Sequence, residues 1–139
     1  VDFNRNVYEA LSGYLSFAEG KDIMFSSCDY RAFLSQLSFT EKSYVFFDPP
    51  YLISTSEYNK LWDEEKEKEL YCTLDTLHKR GIRFGITNLA AHRGKVNRIF
   101  SEWAGKYQSY GVNSNYISFN DNTVKEGTRE LFVTNCGCR

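Results

Sequence analysis

Tyr44-Val45-Phe46-Phe47-Asp48-Pro49-Pro50-Tyr51 passes from a continuous aromatic and β-branched run straight into two consecutive prolines. Rings and branched side chains fit a pleated surface, so residues 44–47 are expected to form a strand, and their unbroken apolarity predicts burial on both faces of a parallel sheet. The prolines stop that strand, because each fixes φ and removes a ladder donor. A carboxylate, two donor-free imide nitrogens and an aromatic ring are therefore expected at the sheet rim, where ligands bind in open α/β folds.

Upstream, Val7, Leu11, Tyr14 and Leu15 carry helical spacing over residues 6–17, and Gly20 closes that run. Ile23-Met24-Phe25 reads as a short strand reaching Ser26 and Ser27, and Ala32, Phe33, Leu34 and Leu37 as another short helix. Downstream, Asp63 is placed to cap a helix running to Arg80, with Lys66 where a full capping box has Glu; Leu70, Leu74 and Leu77 share one stripe. Gly81 ends it. Residues 83–87 read as a strand, Val96, Ile99, Phe100 and Trp103 as the buried stripe of a further helix, and residues 107–110 and 130–134 as two last strands around a polar stretch. This alternation predicts an α/β fold with helices on both faces of the sheet.

Composition narrows the function classes. The 139 residues carry a formal net charge of −1, so no broad cationic surface is available, and any grip on a phosphate backbone must be local or come from another segment. No run of eighteen apolar residues predicts a membrane span, and residues 1–10 lack the pattern of a secretion signal, which predicts a cytoplasmic protein with no membrane partner. Cys28, Cys72, Cys136 and Cys138 lack metal-ligand spacing, so reduced thiols and no metal are expected.

The proline turn is an acceptor site. An aromatic amine is a poor nucleophile because its lone pair is delocalised into the ring, and accepting both amine protons opposes that delocalisation. Asp48 Oδ and the Pro49 carbonyl can accept them, Pro50 stiffens the turn, and Tyr51 offers a flat face. A base stacked on such a ring gains ~1–3 kcal/mol, which helps offset its removal from a duplex.

These residues resemble the DPPY motif of the Dam-type DNA adenine methyltransferases. Cys28-Asp29-Tyr30 resembles that family's Cys-Asp-Phe element, Ile86-Thr87-Asn88 its next strand end, Gly94-Lys95 to Trp103 its following helix, and Glu130-Leu131-Phe132-Val133-Thr134-Asn135 its final strand. The resemblance implies a Rossmann-like methyltransferase sheet, S-adenosyl-L-methionine as cofactor and double-stranded DNA as partner. It implies catalytic roles for Asp48, Pro49, Pro50 and Tyr51 and cofactor contacts from Asp29, Tyr30 and Asp48; by residue type, Tyr58, Lys125 and Arg129 are the candidate DNA contacts. Residues 52–62 are polar and interrupted, and are expected to form a mobile flap that orders on DNA. The family's Phe-x-Gly-x-Gly cofactor turn does not occur before Asp48, so residues 1–139 resemble the C-terminal portion of the catalytic domain. By itself this portion is expected to be incomplete as a catalyst. A second polypeptide is then expected to supply the Gly-rich loop, or the chain to self-associate through the edge of residues 44–47 unless residues 23–27 pair beside it.

Plainer readings accompany each of these. Asp48 to Tyr51 also fits a strand-ending proline turn, Asp29 a helix cap, and Tyr58, Trp62 and Phe119 partial core packing. His78-Lys79-Arg80 suits a helix end, while His92-Arg93-Gly94-Lys95 and residues 125–129 fit scattered surface cations as well as phosphate contacts. Alternative activities are methylation of an amino group in RNA or of a protein amide, although Asp48 favours an aromatic amine. Outside catalysis, the alternative is a half that assembles with a second chain.

Overall fold

The computed structural model describes residues 4–55, 59–112 and 127–137. They fall in two compact units, Val1–Leu37 and Ser38–Arg139.

In the first unit, α1 (Arg5–Ala18) begins where Asn4 Oδ1 accepts from Val7 N at 3.2 Å, and no residue of this helix is buried. Helix α2 (Tyr30–Gln36) is capped by Asp29, whose Oδ1 accepts from Arg31 N at 3.0 Å. The strand expected over residues 23–27 does not form, and Met24 and Phe25 are exposed. A run of three apolar residues is a strand only if a neighbour takes its backbone N–H and C=O groups.

The second unit holds β1 (Tyr44–Phe47), α3 (Glu64–Lys79), β2 (Arg83–His92), β3 (Lys95–Val96), α4 (Arg98–Ala104), β4 (Gln108–Val112) and β5 (Arg129–Thr134). The sheet runs β1-β2-β5-β4, with β3 attached to β2. Strands β1 and β2 are parallel and joined through α3; the other pairs are antiparallel. The fold is a mixed α/β sheet of the Rossmann-like kind.

Helix α3 follows its sequence signals. Asp63 Oδ1 accepts from Lys66 N at 2.9 Å, Glu64, Glu65 and Glu67 lie in the first turn, and His78 and Lys79 in the last, matching the helix dipole. Gly81, at φ 72°, provides the left-handed exit. Leu70, Leu74 and Leu77 are buried as one stripe.

The register assigns the two faces of the sheet. Phe84, Ile86, Asn88, Leu131 and Val133 lie on the face covered by α3 and α4, where the Tyr71 and Trp103 rings stack at 4.5 Å. Tyr44, Phe46, Gly85, Phe132 and Tyr110 lie on the other face, with Phe46 and Phe132 stacked at 6.4 Å. Any Cβ on Gly85 would come within 2.6 Å of the Phe132 ring, so a larger residue there must displace that ring and the Tyr44 hydroxyl.

Two expectations change here. Strand β1 is an edge strand with Tyr44 and Phe46 exposed, not a strand buried on both faces. The stretch 94–96 is not helical: Arg93 and Gly94, at φ 49° and 79°, form the tight turn of a β2–β3 hairpin. Helix α4 starts only after Asn97, whose Oδ1 accepts from Phe100 N at 3.0 Å, and Val96 is exposed. No helix among the described residues is long and apolar enough to cross a membrane.

Candidate active site

Asp48 follows directly on β1. Phe46 pairs with Gly85, so continued alternation places Asp48 on the same face as Thr87, and Glu130, opposite Leu89, shares that face. The three converge around Tyr51. Its hydroxyl lies 2.9 Å from Glu130 Oε1, 3.3 Å from Asp48 Oδ1 and 3.3 Å from Thr87 Oγ1. Thr87 Oγ1 is itself 3.3 Å from Asp48 Oδ1. A phenol donates one proton, and the shortest contact directs it to Glu130, leaving the Thr87 hydroxyl as the donor to Asp48. Burial raises the Tyr51 pKa well above the ordinary phenol value, and the neighbouring Glu130 and Asp48 raise it further against the lowering effect of Thr87.

Asp48 is exposed, and its Oδ2 takes no hydrogen bond from any described residue. The site thus presents one acceptor oxygen outward while the other is held from within the sheet. Tyr51, by contrast, is buried at 8% exposure, so its ring is not the open platform that stacking requires.

The segment after the prolines is tied down in its described parts. Asn59 Nδ2 donates to Tyr51 O at 2.6 Å and to Ser54 Oγ at 2.5 Å, and Trp62 Nε1 donates to Glu67 Oε2 at 3.1 Å. Glu67 is fully buried and its Oε1 also receives Asn97 Nδ2 at 2.6 Å, Tyr71 O–H at 2.7 Å and Asn88 Nδ2 at 3.4 Å. The flap expected over residues 52–62 is therefore anchored near both ends. Trp62 is half-buried in this network, as the packing alternative had it.

The remaining candidates lie elsewhere. Asp29, in the first unit, also accepts from Arg31 Nε at 3.1 Å, and the Arg31 hydrogen bonds hold its carboxyl below the usual range. Tyr30 is the first residue of α2. Arg129 is exposed at the start of β5, whereas Tyr58, Lys125 and Phe119 lie outside the described residues. His92 is buried against Thr128 Oγ1 at 2.9 Å, which removes it from the surface cations. Cys28, Cys72 and Cys136 are free thiols, and no metal-binding cluster occurs among the described residues.

Sequence reasoning missed Thr87, Glu130 and Glu67 as participants. Glu67 did leave a signal: it falls three residues before Leu70 on the buried stripe, an acidic side chain at a core position.

No family model matches the chain. The chain is similar to modification methylases. It is 30% identical over 145 residues to modification methylase StsI of Streptococcus sanguinis, covering 96% of this chain and 21% of that protein. It is 32% identical over 122 residues to type II methyltransferase M.FokI of Planomicrobium okeanokoites, covering 83% and 18%. Modification methylase LlaI of Lactococcus lactis subsp. lactis is 30% identical over 140 residues, covering 96% and 21%. The chain spans about a fifth of the length of these relatives.

Proposed function

We propose that the chain carries the target-amine end of an S-adenosyl-L-methionine-dependent DNA methyltransferase that modifies the exocyclic amino group of adenine. The observation that carries this reading is Asp48: an exposed carboxylate immediately after a parallel strand, with Oδ1 held by Thr87 and Oδ2 open to an incoming donor. The similarity to modification methylases supports the DNA substrate and a role in restriction-modification.

In this reading Asp48 Oδ2 and the Pro49 carbonyl accept the two amine protons, localising the nitrogen lone pair as it attacks. Pro49 and Pro50 keep the acceptors aimed before the substrate arrives, so little reorganisation is needed in the transition state. S-adenosyl-L-methionine, when bound, supplies the electrophilic methyl group. One feature supports a fit to such a cofactor: Asp29 offers an exposed carboxyl of lowered pKa to an amino group, and Tyr30 follows it as an aromatic neighbour. Arg129, with Tyr58 and Lys125, is assigned to the DNA.

The test is methyl transfer from labelled S-adenosyl-L-methionine to DNA by the complete encoded polypeptide, followed by nucleoside analysis. Label in N6-methyladenine that disappears in Asp48→Ala is expected; label only in cytosine, in RNA or in protein would overturn the assignment.

A second reading, assembly with a further strand, is favoured by one observation. Strand β1 has β2 as its one strand neighbour among the described residues, and Tyr44 and Phe46 are exposed there. Such an edge is a template for pairing with a second copy or with a polypeptide that brings the Gly-rich cofactor loop.

A further inference from the structure

We infer that Glu130 is a positioning residue that keeps Asp48 available as an acceptor by taking the proton of the Tyr51 hydroxyl. The inference rests on the proposed methyl-transfer reading and adds to it a residue outside the proline turn.

The geometry sets up a competition. Two carboxyl groups, Asp48 and Glu130, lie within reach of one phenolic proton, at 3.3 Å and 2.9 Å. Tyr51 is buried, so water is not at hand to take that proton if Glu130 is lost. A buried donor left unsatisfied turns to an acceptor within reach; Asp48 Oδ1 and Thr87 Oγ1 both lie at 3.3 Å, and the charged carboxylate, to which Thr87 itself donates, is the stronger acceptor of the two. Asp48 would then receive both the Tyr51 and Thr87 hydroxyls, and donation into a carboxylate reduces the charge it offers to the substrate amine. Glu130 prevents this from a fixed place, since β5 is paired on both sides, to β2 and to β4.

The prediction is a coupling between two residues. In the complete encoded polypeptide, Glu130→Ala should lower kcat about tenfold, the effect of one misdirected hydrogen bond, with KM for DNA within about twofold. Glu130→Gln, which retains an acceptor oxygen, should recover most of that loss. In a Tyr51→Phe background, where no hydroxyl competes, adding Glu130→Ala should change kcat by no more than about twofold. A crystal structure of Glu130→Ala gives a readout independent of activity: the Tyr51 hydroxyl to Asp48 Oδ1 distance should shorten from 3.3 Å to about 2.7 Å. Equal kcat losses from Glu130→Ala in both backgrounds, or an unchanged 3.3 Å contact, would overturn the inference. Wild-type polypeptide that methylates no DNA would instead refute the methyl-transfer reading, and the crystallographic distance would still decide the competition. If the alanine variant does not fold, the same distance in Glu130→Gln decides: it must stay near 3.3 Å, and shortening refutes the inference.

Discussion

Replacing Glu67 by alanine should destabilise the protein far more than a charged residue's usual place on a helix surface would suggest. Its side chain is fully buried and receives Tyr71, Asn97, Asn88 and Trp62. These four are not equivalent after the substitution. Asn88 Nδ2 keeps a partner in Tyr71 Oη at 3.1 Å, and half-buried Trp62 can reach water. The Tyr71 proton and Asn97 Nδ2 lose their acceptor at 3% and 2% exposure. Two buried donors without partners, at ~1–3 kcal/mol each, give a loss of about 2–6 kcal/mol, against a total stability of about 5–15 kcal/mol. Glu67→Gln keeps Oε1 for three of the donors and turns an amide toward Trp62, so its loss should be about 1–2 kcal/mol. Urea unfolding, with m determined for each variant, measures both losses. A Glu67→Ala loss below about 1 kcal/mol would show that the network is not what holds α3, β2 and the Trp62 segment together.

Three further outcomes are expected. Asp48→Ala should abolish methyl transfer while DNA affinity changes little, because phosphate contacts elsewhere carry affinity; a filter-binding assay beside the turnover assay checks both. Gly85→Ala should cost about 1–3 kcal/mol in urea unfolding, since the added methyl would overlap the Phe132 ring and the Tyr44 hydroxyl. Tyr51 and Tyr71 both have pKa values raised by burial above the ordinary phenol value, so their contribution is fully present below about pH 10 and is lost as pH rises, because the unfolded chain releases those protons first. Two such groups give a slope of about −2.7 kcal/mol per pH unit in the alkaline range, and equal urea midpoints at about pH 9 and 11.5 would contradict it.

Local chemistry was legible in the sequence wherever one residue decides the outcome. Asp63 caps α3, Gly81 ends it, and the prolines stop β1. What depended on neighbours was not. The composition of Tyr44 to Phe47 cannot tell a central strand from an edge strand, because that is decided by which strands lie beside it. Val96 fits the helical spacing of Ile99, Phe100 and Trp103, yet two successive positive φ values at Arg93 and Gly94 commit it to a hairpin first. The Asn97 cap then resets the start of the helix.

The same distinction runs through the candidate site. The placing of Asp48 at the end of β1 was legible because the two prolines after it stop the strand. Thr87 and Glu130 were not, since they meet Tyr51 only through the parallel register of β1 on β2 and the antiparallel register of β5 on β2. That register also alters the meaning of Tyr51. Read from sequence, its value lies in a flat ring; in the fold its hydroxyl is engaged and the ring is buried. Stacking a base on it would require the ring to be uncovered, and the bond to Glu130 is one of the contacts that resist this. In the proposed reading the hydroxyl network links the two tasks of the turn: the contact that keeps the Tyr51 proton off Asp48 is also one that holds the ring in place, and a change at Glu130 should disturb both.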